Sequence, residues 1–120
     1  TVWNKMMKEY LGIDVPTDTE GVLQDTHWSG GSFGYFPTYA YGSAISAQLY
    51  QAMAKDIDIE AELKTGTTKA INEWLKEHVH KFGGSKLPEQ ILLEATGEKF
   101  NPHYYVNYLK EKYSKIYNIK

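Results

Sequence analysis

Residues 21–39 read Gly21-Val22-Leu23-Gln24-Asp25-Thr26-His27-Trp28-Ser29-Gly30-Gly31-Ser32-Phe33-Gly34-Tyr35-Phe36-Pro37-Thr38-Tyr39, and the order of residue types there governs how the rest of the chain is read. An acid, an imidazole and an indole come first, then three closely spaced glycines, then two tyrosines on either side of Pro37. Packing alone seldom calls for that combination. Glycine lets a backbone turn sharply or approach another group where a Cβ would be in the way. Pro37 has its φ fixed near the helical value and no N–H to leave unpaired, so it suits the first turn of a helix beginning near Phe36. That helix would carry Tyr39 in its first turn, with Tyr35 just before it and His27 on the far side of the Gly-rich loop.

Outward from the loop, the pattern is helical in both directions. Trp3, Met6, Met7, Tyr10 and Leu11 recur at helical spacing, and Gly12 marks the end of that helix. Thr17-Asp18-Thr19-Glu20 has the form of a capping box, which predicts a short helix running toward Asp25. From Phe36 to about Lys55 the residues are apolar nearly all round, the pattern of a buried central helix. Asp58 to Leu63 predicts a short helix ending at Gly66. A helix capped by Thr67 or Thr68 follows, carrying Ile71, Trp74, Leu75 and Val79 to a stop at Gly83-Gly84. Leu87-Pro88-Glu89 opens another through Leu92 and Leu93 to Ala95. Asn101-Pro102 reads as an N-cap and first helical residue for the last helix, with Tyr105, Leu109, Tyr113 and Ile116. No repeat, low-complexity tract or strand-like alternation interrupts this. The fold class is all-α, with residues 1–120 forming a single helical unit.

The loop motifs carry a resemblance. Gly21-x-x-Gln24-Asp25-x-His27-Trp28 followed by Gly34-Tyr35-Phe36-Pro37-Thr38-Tyr39 resembles the paired signatures of the thermostable metallocarboxypeptidases (carboxypeptidase Taq family), zinc peptidases of the H-E-x-x-H class. The similarity continues in Trp3-Asn4, Tyr10-Leu11-Gly12-Ile13, Ala95-Thr96-Gly97-Glu98, and Asn101-Pro102 leading to Tyr108-Leu109-x-x-Lys112-Tyr113. It covers essentially the whole chain but only the last quarter or so of the family's usual length. The implied fold is the C-terminal portion of a larger zincin-like helical enzyme. The implied activity is release of single residues from peptide C-termini with broad specificity, by water activated on zinc with a Glu base supplied from elsewhere in the enzyme. Members are typically cytoplasmic homodimers, and the resemblance implies the same here.

Zincins of this class hold the metal with two histidines one helical turn apart and a later Glu. The four histidines, His27, His78, His80 and His103, lack that spacing. The nearest approach, His78 and His80, places the pair on different faces of a helix. No metal ligand is therefore expected in this chain, and zinc is expected only in the full-length enzyme.

Composition narrows the alternatives. At 120 residues the chain is one domain's worth, with no signal peptide or apolar run of transmembrane length. With no cysteines, disulfides and thiolate metal sites are excluded. A formal charge of −2 gives no field suited to nucleic acid or an anionic membrane. All thirteen basic residues are lysine, so a bidentate clamp for a substrate carboxylate cannot come from this segment.

The candidate catalytic residues are His27, Tyr35 and Tyr39, with Gln24 and Asp25 as candidate substrate-binding residues. By the resemblance, His27 would hydrogen-bond the substrate or the charged intermediate, without binding metal. Asp25 would orient the imidazole or simply cap a helix, and Gln24 would contact a substrate backbone or pin the loop. One of Tyr35 and Tyr39 would donate to the oxygen on which negative charge grows. Against this stand plainer roles: a buried imidazole satisfied by a carboxylate, and phenols packed with their hydroxyls on backbone groups. The glycines do not form a nucleotide loop, since its lysine and preceding strand are missing. The competing function is a non-catalytic helical module presenting an aromatic loop to peptides. A segment of a larger enzyme should also leave apolar surface in excess of what a monomer normally exposes.

Overall fold

A computed structural model describes residues 1–119, and no strand occurs among them. The helices are α1 (Val2–Leu11), α2 (Thr26–Ser29), α3 (Pro37–Asp56), α4 (Ile59–Lys64), α5 (Lys69–His78), α6 (Pro88–Thr96) and α7 (His103–Tyr117), with 3₁₀ turns at Val22–Gln24 and His80–Phe82. The all-α expectation holds. The helices gather into two compact units, Thr1–Pro37 and Thr38 onward.

In the first unit, α1 ends as its sequence predicts. Gly12 adopts φ 71°, its N–H bonding back to the Lys8 carbonyl at 3.0 Å while Ile13 N–H reaches Met7 at 3.3 Å. The left-handed glycine turns the chain out of the helix and satisfies carbonyls that would otherwise lack donors. Trp3 then meets Trp28 edge to face, ring centroids 6.1 Å apart at 85°. The Thr17 capping box forms locally, with Glu20 N–H donating to the Thr17 hydroxyl at 3.2 Å. The α-helix expected after it does not. Gly21 and Leu23 N–H groups both turn back to the Asp18 carbonyl, leaving only the 3₁₀ turn before Asp25 starts α2. Gly21 leaves helical geometry at φ −124° and ψ −116°, packed so closely that a Cβ there would come within 2.4 Å of Val15 Cγ1 and 3.4 Å of Trp3 Nε1.

In the second unit, Ala52, Met53, Ile59 and Trp74 form the buried cluster, with Leu49, Ile57, Ile71, Leu75 and Ala95 against it. Trp74 also donates its indole N–H to Asp56 at 2.6 Å, which ties α5 to the end of α3. Asp58 caps α4 by accepting from Ala61 N–H at 3.0 Å, and Asn101 accepts from His103 N–H at 3.0 Å at the start of α7. Both caps supply an acceptor to donors left over at a helix start.

Three expectations are corrected here. The helix expected to stop at Gly83-Gly84 ends at His78. Val79 leaves helical geometry at φ −130°, and a 3₁₀ turn carries the chain on to Gly83, at φ 51°. Helix α3 is not buried all round: only Ala44, Gln48, Ala52 and Met53 are, along one stripe, while Tyr39, Tyr41 and Tyr50 are exposed. The elements packed on it cover one face, and its sequence offers more apolar faces than that. Helix α7, whose run of tyrosines from Tyr104 to Tyr117 is expected from the sequence to seal it against its neighbours, buries no residue, and Tyr108, Tyr113 and Tyr117 lie exposed.

Gln48 is the other buried residue of note, 1% exposed. Its Nε2 faces Thr96 Oγ1 at 3.2 Å and the carbonyls of Glu98 and Lys99 at 3.3 and 3.1 Å, while its Oε1 accepts from Asn101 N–H at 2.9 Å. One amide side chain thus holds the whole turn between α6 and α7 against α3.

Candidate active-site loop

The loop is assembled by short-range bonds that its sequence makes available. Asp25 is the N-cap of α2, an aspartate whose carboxylate accepts from His27 N–H at 2.9 Å. At the other end of this single turn, Gly31 N–H bonds to Trp28 and Ser32 N–H to His27 at 2.8 Å, closing the loop beneath the imidazole. Gly31 and Gly34 take φ values of 78° and 74°, which only glycine adopts without strain. They reverse the chain so that Tyr35 and Phe36 return to His27.

The same Asp25 oxygen that caps α2 lies 2.8 Å from His27 Nδ1. The Asp25 side chain is 2% exposed and that of His27 25%. The Tyr35 ring stacks on the imidazole with centroids 4.5 Å apart and 19° between planes. Phe36 meets it edge-on at 5.0 Å and 74°. One edge of the ring is therefore fixed by a carboxylate and two of its sides by aromatic rings, within a single stretch of twelve residues from Asp25 to Phe36.

The predicted residues fall as follows. Asp25, His27 and Tyr35 are brought together. Gln24 is exposed, and its amide nitrogen donates to the Thr19 carbonyl at 2.7 Å, which pins the turn. Tyr39 is 57% exposed in the first turn of α3 and belongs to the second unit, while Tyr35 is 45% exposed in the first. Neither phenol is sealed in packing. Phe36, quoted in the sequence as part of the loop motif and as a helix start but given no role at the site, also contacts His27; its place beside Tyr35 was the available signal.

Among the described residues, no three His, Asp or Glu side chains gather where they could hold a metal ion. His78, the last residue of α5, stacks on Trp74 at 4.3 Å, and His80 begins the following turn. This donor set does not fit a zinc centre.

The helical architecture with this loop is that of a metallocarboxypeptidase segment: it is similar to the crystal structure of an M32 carboxypeptidase from Deinococcus radiodurans, with a TM-score of 0.88 at 33% identity over 98% of this chain and 24% of that one. It is also similar to carboxypeptidase 1 of Bacillus subtilis, 48% identical over 98% of this chain and 24% of the relative. With thermostable carboxypeptidase 1 of Pyrococcus furiosus it shares 43% identity over 93% of this chain and 23% of the relative. The model of the carboxypeptidase Taq (M32) metallopeptidase family matches residues 1–113, and the chain belongs to that family. It spans about a quarter of the length of the relatives it matches.

Proposed function

We propose that this chain is the C-terminal part of a zinc-dependent carboxypeptidase that releases single amino acids from peptide C-termini with broad specificity, working as a cytoplasmic homodimer. In this reading residues 1–120 act as one helical part of the catalytic domain and provide one wall of the substrate cleft. The zinc ligands lie outside this chain. The observation that carries the proposal is the imidazole of His27, fixed by a nearly buried carboxylate and flanked by Tyr35 on a loop of a family peptidase. A catalytic group is useful in proportion to how firmly its geometry is held before the substrate arrives.

His27 and one of Tyr35 and Tyr39 would contact the peptide, with the phenol donating to the carbonyl oxygen as negative charge grows there. Gln24 would stiffen the loop and contact the substrate at its edge. The apolar faces left open on α1, α3 and α7, with Tyr10, Leu11, Tyr41, Tyr108 and Ile116 among the exposed side chains, would be covered by the rest of the enzyme. Peptide remains the best substrate class. The formal charge of −2 offers little to nucleic acid, and no described helix is long and apolar enough to cross a membrane.

The test begins with the reading frame upstream of this chain. It should encode an H-E-x-x-H helix and a later Glu, and its product should release C-terminal residues from peptides. In that protein Tyr35→Phe or Tyr39→Phe should lower kcat by about 10²–10³ with little change in KM, the signature of a donor used only in the transition state. A frame without the metal-binding motif would leave the peptide-binding module as the surviving reading. Unchanged kinetics in both variants would remove the phenol role.

A further inference from the structure

We propose that Asp25 is a positioning residue that holds neutral His27 in its Nδ1–H tautomer, so that Nε2 serves the peptide as a hydrogen-bond acceptor. The geometry comes first. Asp25 Oδ1 lies 2.9 Å from the His27 backbone nitrogen and 2.8 Å from its Nδ1, so a single oxygen receives both hydrogens. An ionised carboxylate has no hydrogen to give, and a neutral imidazole has one N–H to place. The bond at Nδ1 exists only if that nitrogen carries the hydrogen, which leaves Nε2 with its lone pair.

Two features stop the ring from escaping this arrangement. The carboxylate is almost entirely shielded from water, at 2% exposure, so few solvent hydrogens compete for it. A half-turn of the imidazole would put a carbon where Nδ1 now sits and would have to pass between the Tyr35 and Phe36 rings. Free neutral imidazole favours the hydrogen on Nε2. The preference is inverted here by residues two positions apart, through the turn geometry of the Asp25 cap.

The consequence rests on the carboxypeptidase reading of the loop and sharpens it. Neutral His27 presents an acceptor, matched to a peptide N–H. It donates from Nε2 only after gaining a second proton, when it also forms an ion pair with Asp25. Donation to an oxyanion at neutral ring charge therefore falls to a phenol, and His27 recognises the amide side of the substrate. Asp25 itself acts through the imidazole and does not bind the peptide.

The experiment is long-range ¹H–¹⁵N correlation spectroscopy of the imidazole rings in the full-length protein, ¹⁵N-labelled at histidine and recorded above the imidazole titration range. The exposed His80 and His103 serve as internal references. His27 should show its protonated nitrogen at Nδ1, opposite to the references. Asp25→Ser, whose hydroxyl still caps α2 but is too short and uncharged to hold the ring, should return the majority to Nε2–H. Asp25→Asn retains a capping oxygen without the charge and should lower the Nδ1–H population. A wild-type ring with its hydrogen on Nε2 overturns the proposal, as does a tautomer unchanged in both variants. The spectrum does not depend on peptidase activity, so an inactive full-length protein would sink the functional reading and leave this one standing.

Discussion

Replacing Gln48 by leucine should destabilise the second unit far more than its place on an otherwise small and apolar helix suggests. Its two amide hydrogens serve Thr96 Oγ1 and the carbonyls of Glu98 and Lys99, and its oxygen holds Asn101 N–H. Leucine fills similar space and satisfies none of these. The four do not contribute equally. Glu98 and Lys99 are exposed, so their carbonyls can turn to water, whereas Thr96 and Asn101 are half-buried. Thr96 Oγ also keeps its bond to the Leu92 carbonyl at 2.8 Å, so Asn101 N–H is the group most clearly orphaned. Charging about 1–3 kcal/mol for the one group clearly left unpaired gives a loss of about 1–3 kcal/mol. At about 4 °C per kcal/mol for a chain of this size, the thermal midpoint should drop by roughly 4–12 °C. Calorimetry measures that drop, and amide hydrogen exchange at Asn101 localises it. A loss under about 0.5 kcal/mol, with Asn101 still protected, would refute the view that this amide holds the α6–α7 turn, because surface-like substitutions fall in that range.

Gly21→Ala should cost about 1–3 kcal/mol by overpacking against Val15, with its effect read as urea sensitivity of the Trp3 and Trp28 fluorescence. The Glu98 carboxylate is held below the usual carboxylate range by its hydrogen bonds from Asn101 and Tyr104, with Lys55 adding a favourable charge. A depressed folded value means that the contribution is complete above the usual range and is lost as pH falls through the folded value. The Tyr104 phenol is raised by the same bond, so its contribution is present below the ordinary phenol value and lost as pH rises through the folded one. Tyr104→Phe should therefore reduce the thermal midpoint across neutral pH by a small, constant amount. The difference from wild type should close in acid and in strong alkali, and a gap that persists at both ends would contradict the linkage.

Much of the fold was legible because its signals are local. Gly12 as a helix stop, Asn101 as a cap, and Pro37 at the first turn of α3 each act within a few residues. Their outcomes follow from backbone conformation and leftover donors. The loop was legible for the same reason: Asp25, His27 and Tyr35 sit close in sequence, and two glycines suffice to fold the chain back on itself. What failed was decided at longer range or by competition. The 17–25 segment carried a helix-start signal, but Gly21 leaves helical geometry at φ −124° and ψ −116°, and only a 3₁₀ turn follows.

By itself the amino-acid sequence determined that this protein is helical, where most helices start and stop, and which loop gathers the polar and aromatic groups. Those outcomes depend on residues near one another along the chain. Only the tertiary structure decided that Gln48 clamps a turn 48–53 residues away, that α3 is covered on a single stripe, and which edge of His27 meets Asp25. A hydrogen bond is directional, and its partner's position exists only once the chain has folded.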